Sequence, residues 1–145
     1  MANKRLNVTR REFQDSYRRH YKLYQNTNVS DKSRRLVLFY SVECGLKSLI
    51  MKETGNDTYK ELESYCEISG KYNITGHDIK AMLKEVNPRN EFALKNISLE
   101  KGGGSVPPMR FNELWRYGAA VADIEEEEKA EKALVKIADW IKTRL

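Results

Sequence analysis

Apolar residues run almost without interruption from Leu36 to Met51, in the order LVLFYSVECGLKSLIM. Wound as a helix, this stretch is apolar on nearly all sides, which marks a central, buried helix. Leu36, Phe39, Leu46 and Ile50 share one side at about 100° per residue, and Glu43 falls among them. A carboxylate there requires a partner, because an unpaired charge is costly to desolvate. The helix is expected from Ser30 or Asp31 to about Thr54, with Gly55 as its stop. Ser41, Gly45 and Ser48 form a strip of small residues that admits a close neighbour, a packed helix or a second subunit.

The flanking patterns are also helical. Thr9 and Glu12 have the spacing of a capping box. Phe13, Tyr17, Tyr21 and Tyr24 then recur on one face, and Asn26-Thr27-Asn28 ends the element. A short helix is predicted from Thr58 to Ile68, broken by Ser69-Gly70, and a compact one from Thr75 or Gly76 to Val86, stopped by Asn87-Pro88. Glu91 to Ser98 reads as a short strand or extended loop, and Lys101-Gly102-Gly103-Gly104-Ser105 as a flexible loop. Pro107-Pro108 opens a further short helix through Met109, Phe111, Leu114 and Trp115. The last helix carries Asp123 as cap, Glu126 at the third position and Leu134, Ile137, Ala138, Ile141 and Leu145 as its stripe. Glu125 to Glu128 suit the positive end of its dipole, and Glu125–Lys129 and Glu128–Lys132 have favourable helical spacing. The pattern predicts one all-α domain over residues 1–145, a helical bundle with a long loop or small hairpin before the C-terminal helices.

Charge changes the picture in one respect. Of the net +5, residues 1–35 hold ten Lys/Arg against three Asp/Glu, while the remainder is slightly acidic. A nucleic-acid surface is therefore sought near the N-terminus, on Arg11, Arg18, Arg19 and Lys22 and on Arg34 and Arg35. The neighbouring tyrosines either stack on bases or pack in the core. Glu43 and Lys47 interrupt the long apolar run, so a membrane span is not expected, and the N-terminus lacks the pattern of a secretory signal. A cytoplasmic protein with free thiols at Cys44 and Cys66 is expected, in which five Asn-x-Ser/Thr sequons carry no meaning.

Candidate chemistry is sparse. His20, His77 and the two cysteines show no metal-ligand spacing, and the triglycine lacks the Lys-Ser/Thr of a phosphate loop. No metal or cofactor is expected. Cys44 inside an apolar helix reads as an inert thiol rather than a nucleophile. Three polar islands remain: Glu43 with Lys47, Gly76-His77-Asp78, and Leu114-Trp115-Arg116-Tyr117-Gly118. Glu43 is expected to find Arg116, His77 or a backbone amide, giving either a structural network of Glu43, Lys47, His77, Asp78, Arg116 and Tyr117 or a ligand pocket made of them.

The segments YSVECGLK at 40–47, GHDIKAML at 76–83 and WRY at 115–117 resemble, in that order among helices, small prokaryotic HEPN-like proteins. The resemblance implies a helical bundle around a central helical pair, often dimeric. It also implies RNA cleavage or RNA binding in toxin–antitoxin and antiphage systems, sometimes beside a nucleotidyltransferase partner. Nuclease members place Arg, then four to six residues, then His, whereas the matching positions here are Phe-Gln-Asp at 13–15 and Gly-Lys-Tyr at 70–72. The expectation is an HEPN-like domain without that motif, binding RNA or a protein partner such as a defence-complex subunit. The alternatives are an atypical metal-independent ribonuclease using His77 and Arg116, with Glu43 beside them, and a purely structural oligomerisation module.

Overall fold

The long apolar run is the axis of the bundle. The computed structural model describes residues 6–28, 31–71, 74–89 and 92–145. Ser30, Tyr72 and Glu91, at three of the positions named above, lie outside them. The run forms α2 (Asp31–Thr54), in which Leu38, Phe39, Val42, Leu46, Ile50 and Met51 are fully enclosed. Four helices cover it. These are α1 (Arg10–Asn26), α4 (Ile79–Val86), α5 (Phe111–Tyr117) and α6 (Ile124–Arg144), while α3 (Tyr59–Ser69) follows the turn after α2. Being covered on all sides is why α2 is apolar on all sides.

Between α4 and α5 the chain forms a two-stranded antiparallel hairpin, β1 (Ile97–Ser98) and β2 (Ser105–Val106), with Ile97 opposite Val106. The expected loop is thus partly a hairpin, anchored by buried Leu94 and Ile97 and by a bridge from Leu99 to Val121. Pro108–Arg110 make one turn of 3-10 helix before α5. No helix among the described residues is long and apolar enough to cross a membrane.

The N-terminus of α1 is closed by the capping box foreseen at Thr9 and Glu12. Its tyrosines pack inward. Tyr17 donates to the Ala138 carbonyl at 2.6 Å, Tyr21 to Asp139 at 2.6 Å, and Tyr24 to Glu131, so each phenol finds a partner on α6. Burial and the nearby Asp139 push the Tyr17 phenol up to about 12. These rings are core, not a stacking platform for bases. The small-residue strip is also used inside the chain: Ser41 donates to the Tyr17 carbonyl at 2.9 Å. A Cβ on Gly45 would meet Tyr17 at 2.8 Å and Ile141 at 2.9 Å.

One expectation about a helix start needs correction. The compact helix begins at Ile79, not at Thr75 or Gly76, because Asp78 caps it by accepting from the Ala81 amide at 3.1 Å. Residues 75–77 are bent chain ahead of the cap. α6 starts as expected, with Asp123 accepting from the Glu125 amide at 2.9 Å and Glu126 at the third position, where it accepts from the Ser98 amide at 3.0 Å and ties the hairpin to the helix. The Glu125–Lys129 and Glu128–Lys132 pairs do not close into ion pairs; all four side chains are exposed, where such a contact is worth little.

Arg35 joins three helices. Its guanidinium reaches Glu127 at 2.8 Å and Glu131 at 2.6 Å, and Trp115 donates to the other oxygen of Glu127 at 2.9 Å. Arg35 and Glu127 are both buried. Truncating Arg35 to Ala leaves two carboxylates without their cation, and we expect a loss of about 3–5 kcal/mol in unfolding free energy, read by chemical denaturation. Gly45→Ala should cost about 1–3 kcal/mol in the same measurement, through overpacking against α1 and α6.

Candidate functional site

The site begins with Glu43, which α2 carries into the interior. Its carboxylate is buried and accepts on both oxygens: Oε1 takes Nδ1 of His77, and Oε2 takes Nζ of Lys47 at 3.4 Å. Lys47 lies one turn along the same helix, with its side chain 8% exposed. His77 comes from the bent segment before α4. The Asp78 cap starts the helix after His77, so its ring is free to lean over α2. The imidazole is half exposed, with Nδ1 committed to Glu43 and Nε2 left as the nitrogen that can trade a proton. The Glu43 bond holds the imidazole proton above its ordinary 6.5, against partial burial and the charges of Lys47 and Arg116.

His77 and Asp78 border a cleft of about 590 Å³ whose other wall is the 3-10 turn and α5, including Asn112, Arg116 and Tyr117. Arg116 does not reach Glu43. It donates to the Tyr40 hydroxyl at 2.5 Å, so that Tyr40, one turn before Glu43 on α2, positions it. Tyr117 stands outside the core, 73% exposed, with the Arg116 guanidinium 6.0 Å from its ring centre. Asp78 spends its carboxylate on the α4 cap. Arg110 and Glu113 on the same wall pair with each other at 2.5 Å. Arg116 is therefore the cleft cation without a carboxylate partner among the described residues, whereas His77 is paired with Glu43.

The six basic residues singled out near the N-terminus divide. Arg11, Arg18, Arg19 and Lys22 are exposed along α1. Arg34 is half-buried, 4.5 Å over the Tyr24 ring and donating to the Tyr24 carbonyl at 3.1 Å. Arg35 is withdrawn altogether: it is buried in the ion pairs with Glu127 and Glu131 and presents nothing to a phosphate. Its place on the buried side of α2 was not visible in a run of charges.

The thiols carry little chemistry. Cys44 accepts from Ser16 at 3.4 Å, and Ser16 in turn faces His20 at 3.1 Å, but burial pushes the Cys44 thiol up, away from thiolate. Nδ1 of His20 is also held to the Ser16 carbonyl at 2.7 Å. Among the described residues no group of three or more His, Cys, Asp or Glu is placed to hold a metal ion. Sequence reasoning missed Tyr40, Phe13 and Tyr59 as members of this region. Tyr40 had a signal, its position three residues before Glu43. Phe13 and Tyr59 had none, because α1 and α3 reach Lys47 only in the folded chain.

Comparison with protein-family models, curated proteins and solved structures gives no match to this chain.

The His77–Glu43 pair makes a pH-dependent contribution to folding with a defined sign. The folded state holds the imidazole proton more tightly than the unfolded chain does. Its stabilisation is complete below about 6.5 and is lost as pH rises through the higher folded value. Denaturant midpoints of the wild type should therefore fall relative to His77→Ala as pH climbs from 6.5. Parallel curves for the two proteins would sink this assignment.

Proposed function

We propose that this chain is an HEPN-like helical domain that binds single-stranded RNA in the cleft between His77 and α5. In this reading it lacks the Arg-then-His nuclease motif and serves as the RNA-binding component of a prokaryotic defence or toxin–antitoxin system. The observation that carries the reading is the grouping of Arg116, exposed Tyr117 and the Glu43-held imidazole of His77 along one cleft. A guanidinium and an imidazolium meet phosphate oxygens, and an exposed ring offers a face to an unstacked base. Arg11, Arg18, Arg19 and Lys22 supply a second exposed basic surface that extends the electrostatic attraction along α1. A protein partner from the same defence complex and a homodimer belong to the same reading.

One geometric feature favours a second reading, the metal-independent ribonuclease. A carboxylate on Nδ1 is the arrangement that orients an imidazole for proton transfer at Nε2, and Arg116 lies across the cleft as a charge to stabilise a phosphorane.

Both are tested with end-labelled single-stranded RNA. Retention by the intact protein should weaken steeply with salt, and Arg116→Ala should lower the logarithmic salt slope by about 1. Salt-independent retention would discard the phosphate contacts. Cleavage that disappears in His77→Ala and persists in a chelator would replace binding by catalysis as the conclusion.

A further inference from the structure

His77 borders a second cavity besides the cleft. It is an open cavity of about 480 Å³, lined by Leu6, Val8, Phe13, Lys47, Tyr59 and the 75–77 stretch that ends in His77. Four segments build it, residues 6–13, Lys47 of α2, Tyr59 of α3 and the 75–77 stretch, and hydrogen bonds tie three of them together. The Tyr59 amide donates to the Val8 carbonyl at 2.8 Å, the Lys60 amide to Asn7 at 3.0 Å, and the Tyr59 hydroxyl to the Thr75 carbonyl at 2.8 Å. The Phe13 and Tyr59 rings stand 6.3 Å apart, inclined at 55°. The Lys47 ammonium lies 5.9 Å from the centre of the first and 6.0 Å from the second.

Lys47 is the unusual wall residue. Its side chain is more than nine-tenths buried, yet its partner bond to Glu43 is long, at 3.4 Å. An ammonium has three N–H groups to place, and this contact uses one. The cavity therefore joins aromatic and aliphatic walls to a buried donor. A free phosphate suits it poorly, since Glu43 stands beside the amine and the rings of Phe13 and Tyr59 flank it. A flat heterocycle with carbonyl or ring-nitrogen acceptors suits it well. Its face lies on the aromatic side chains, and its edge accepts from Lys47.

We infer that this cavity is a nucleobase pocket. It takes one unstacked base of a bound RNA strand, whose adjoining phosphate is held at His77, the residue shared by cavity and cleft. The inference rests on the RNA-binding reading and adds to it a site for the base. The strand crosses from the Arg116 side to the Phe13 side of His77, and Lys47 is the residue that reads the base edge.

The test compares a mixed-sequence RNA hexamer with a hexamer of equal charge from which all bases have been removed, titrated against the full chain. The wild type should bind the base-bearing hexamer about tenfold more tightly, the order expected for stacking one base. The same titrations are run on Tyr117→Ala, so that the preference contributed by that exposed ring is removed. On that background Phe13→Leu, which takes one ring from the cavity and keeps an apolar side chain, should lower the remaining preference several-fold while keeping salt-sensitive binding of the abasic hexamer. Lys47→Met should act in the same direction, with Phe13→Leu as the arbiter if Lys47→Met fails to fold. Arg116→Ala should weaken both hexamers equally and keep the preference. Equal, salt-sensitive binding of the two hexamers by the wild type, or a preference left unchanged by folded Phe13→Leu on the Tyr117→Ala background, would overturn the base pocket and leave the RNA reading standing. Failure to bind either hexamer would overturn both.

Discussion

The buried pairing of Arg35 with Glu127 and Glu131 is the constraint on which the arrangement of the helices depends. One cation on α2 meets two carboxylates a turn apart on α6. The remaining carboxylate oxygens are filled by Trp115 of α5 and Tyr24 of α1. Four helices therefore share one polar node, and every member of it has its hydrogen bond. A buried ion pair adds little net stability over an apolar substitute, but it penalises any packing that separates its members. Registers of α6 that slide along α2 would strand a charge. The apolar contacts around it, such as Gly45 against Tyr17 and Ile141, then close at van der Waals distance.

With α2 fixed in that way, its polar side chains are aimed. Glu43 sits two turns beyond Arg35 on the same helix, and its surroundings are the inverse of the Arg35 node: here one anion is shared by two cations, His77 and Lys47. The difference between the two nodes is access. Arg35 and its glutamates are sealed, whereas His77 is half exposed and borders two cavities. The same chemical device thus holds the bundle near the start of α2 and presents a half-exposed imidazole at its middle. The Asp78 cap makes the second use possible, because a helix begun at Gly76 would have committed the His77 backbone to a helical turn.

Much of this was legible in the chain. The capping box at Thr9, the extent of α2 and the cap at Asp123 are local signals, set by hydrogen bonds within four residues, and local signals survive folding. Glu43 announced itself as a carboxylate in an apolar stripe, and His77 was among the partners that chemistry allowed. The misreadings share a cause. Glu127 looked like one of four glutamates suited to a helix start, and Arg35 looked like one of a pair of exposed arginines. Both are core residues whose charges cancel only across 92 positions of sequence, a match that periodicity within either helix does not reveal. Arg116 was one of the partners expected for Glu43, but Tyr40 holds it on the far wall of the cleft.

The sequence by itself determined that the protein is helical, where most helices start and stop, and that α2 must be enclosed with a compensated carboxylate at its centre. These follow from side-chain periodicity, capping chemistry and the cost of burying a charge, all of which act over a few residues or on one residue alone. Only the tertiary structure decided which charges meet. It removed Arg35 from the surface, set the α1 tyrosines into the core and brought Phe13, Lys47, Tyr59 and His77 around one cavity. Pairing between distant side chains depends on how helices cross and on which face each turns inward. That geometry is fixed by the packing of the whole chain rather than by any segment of it.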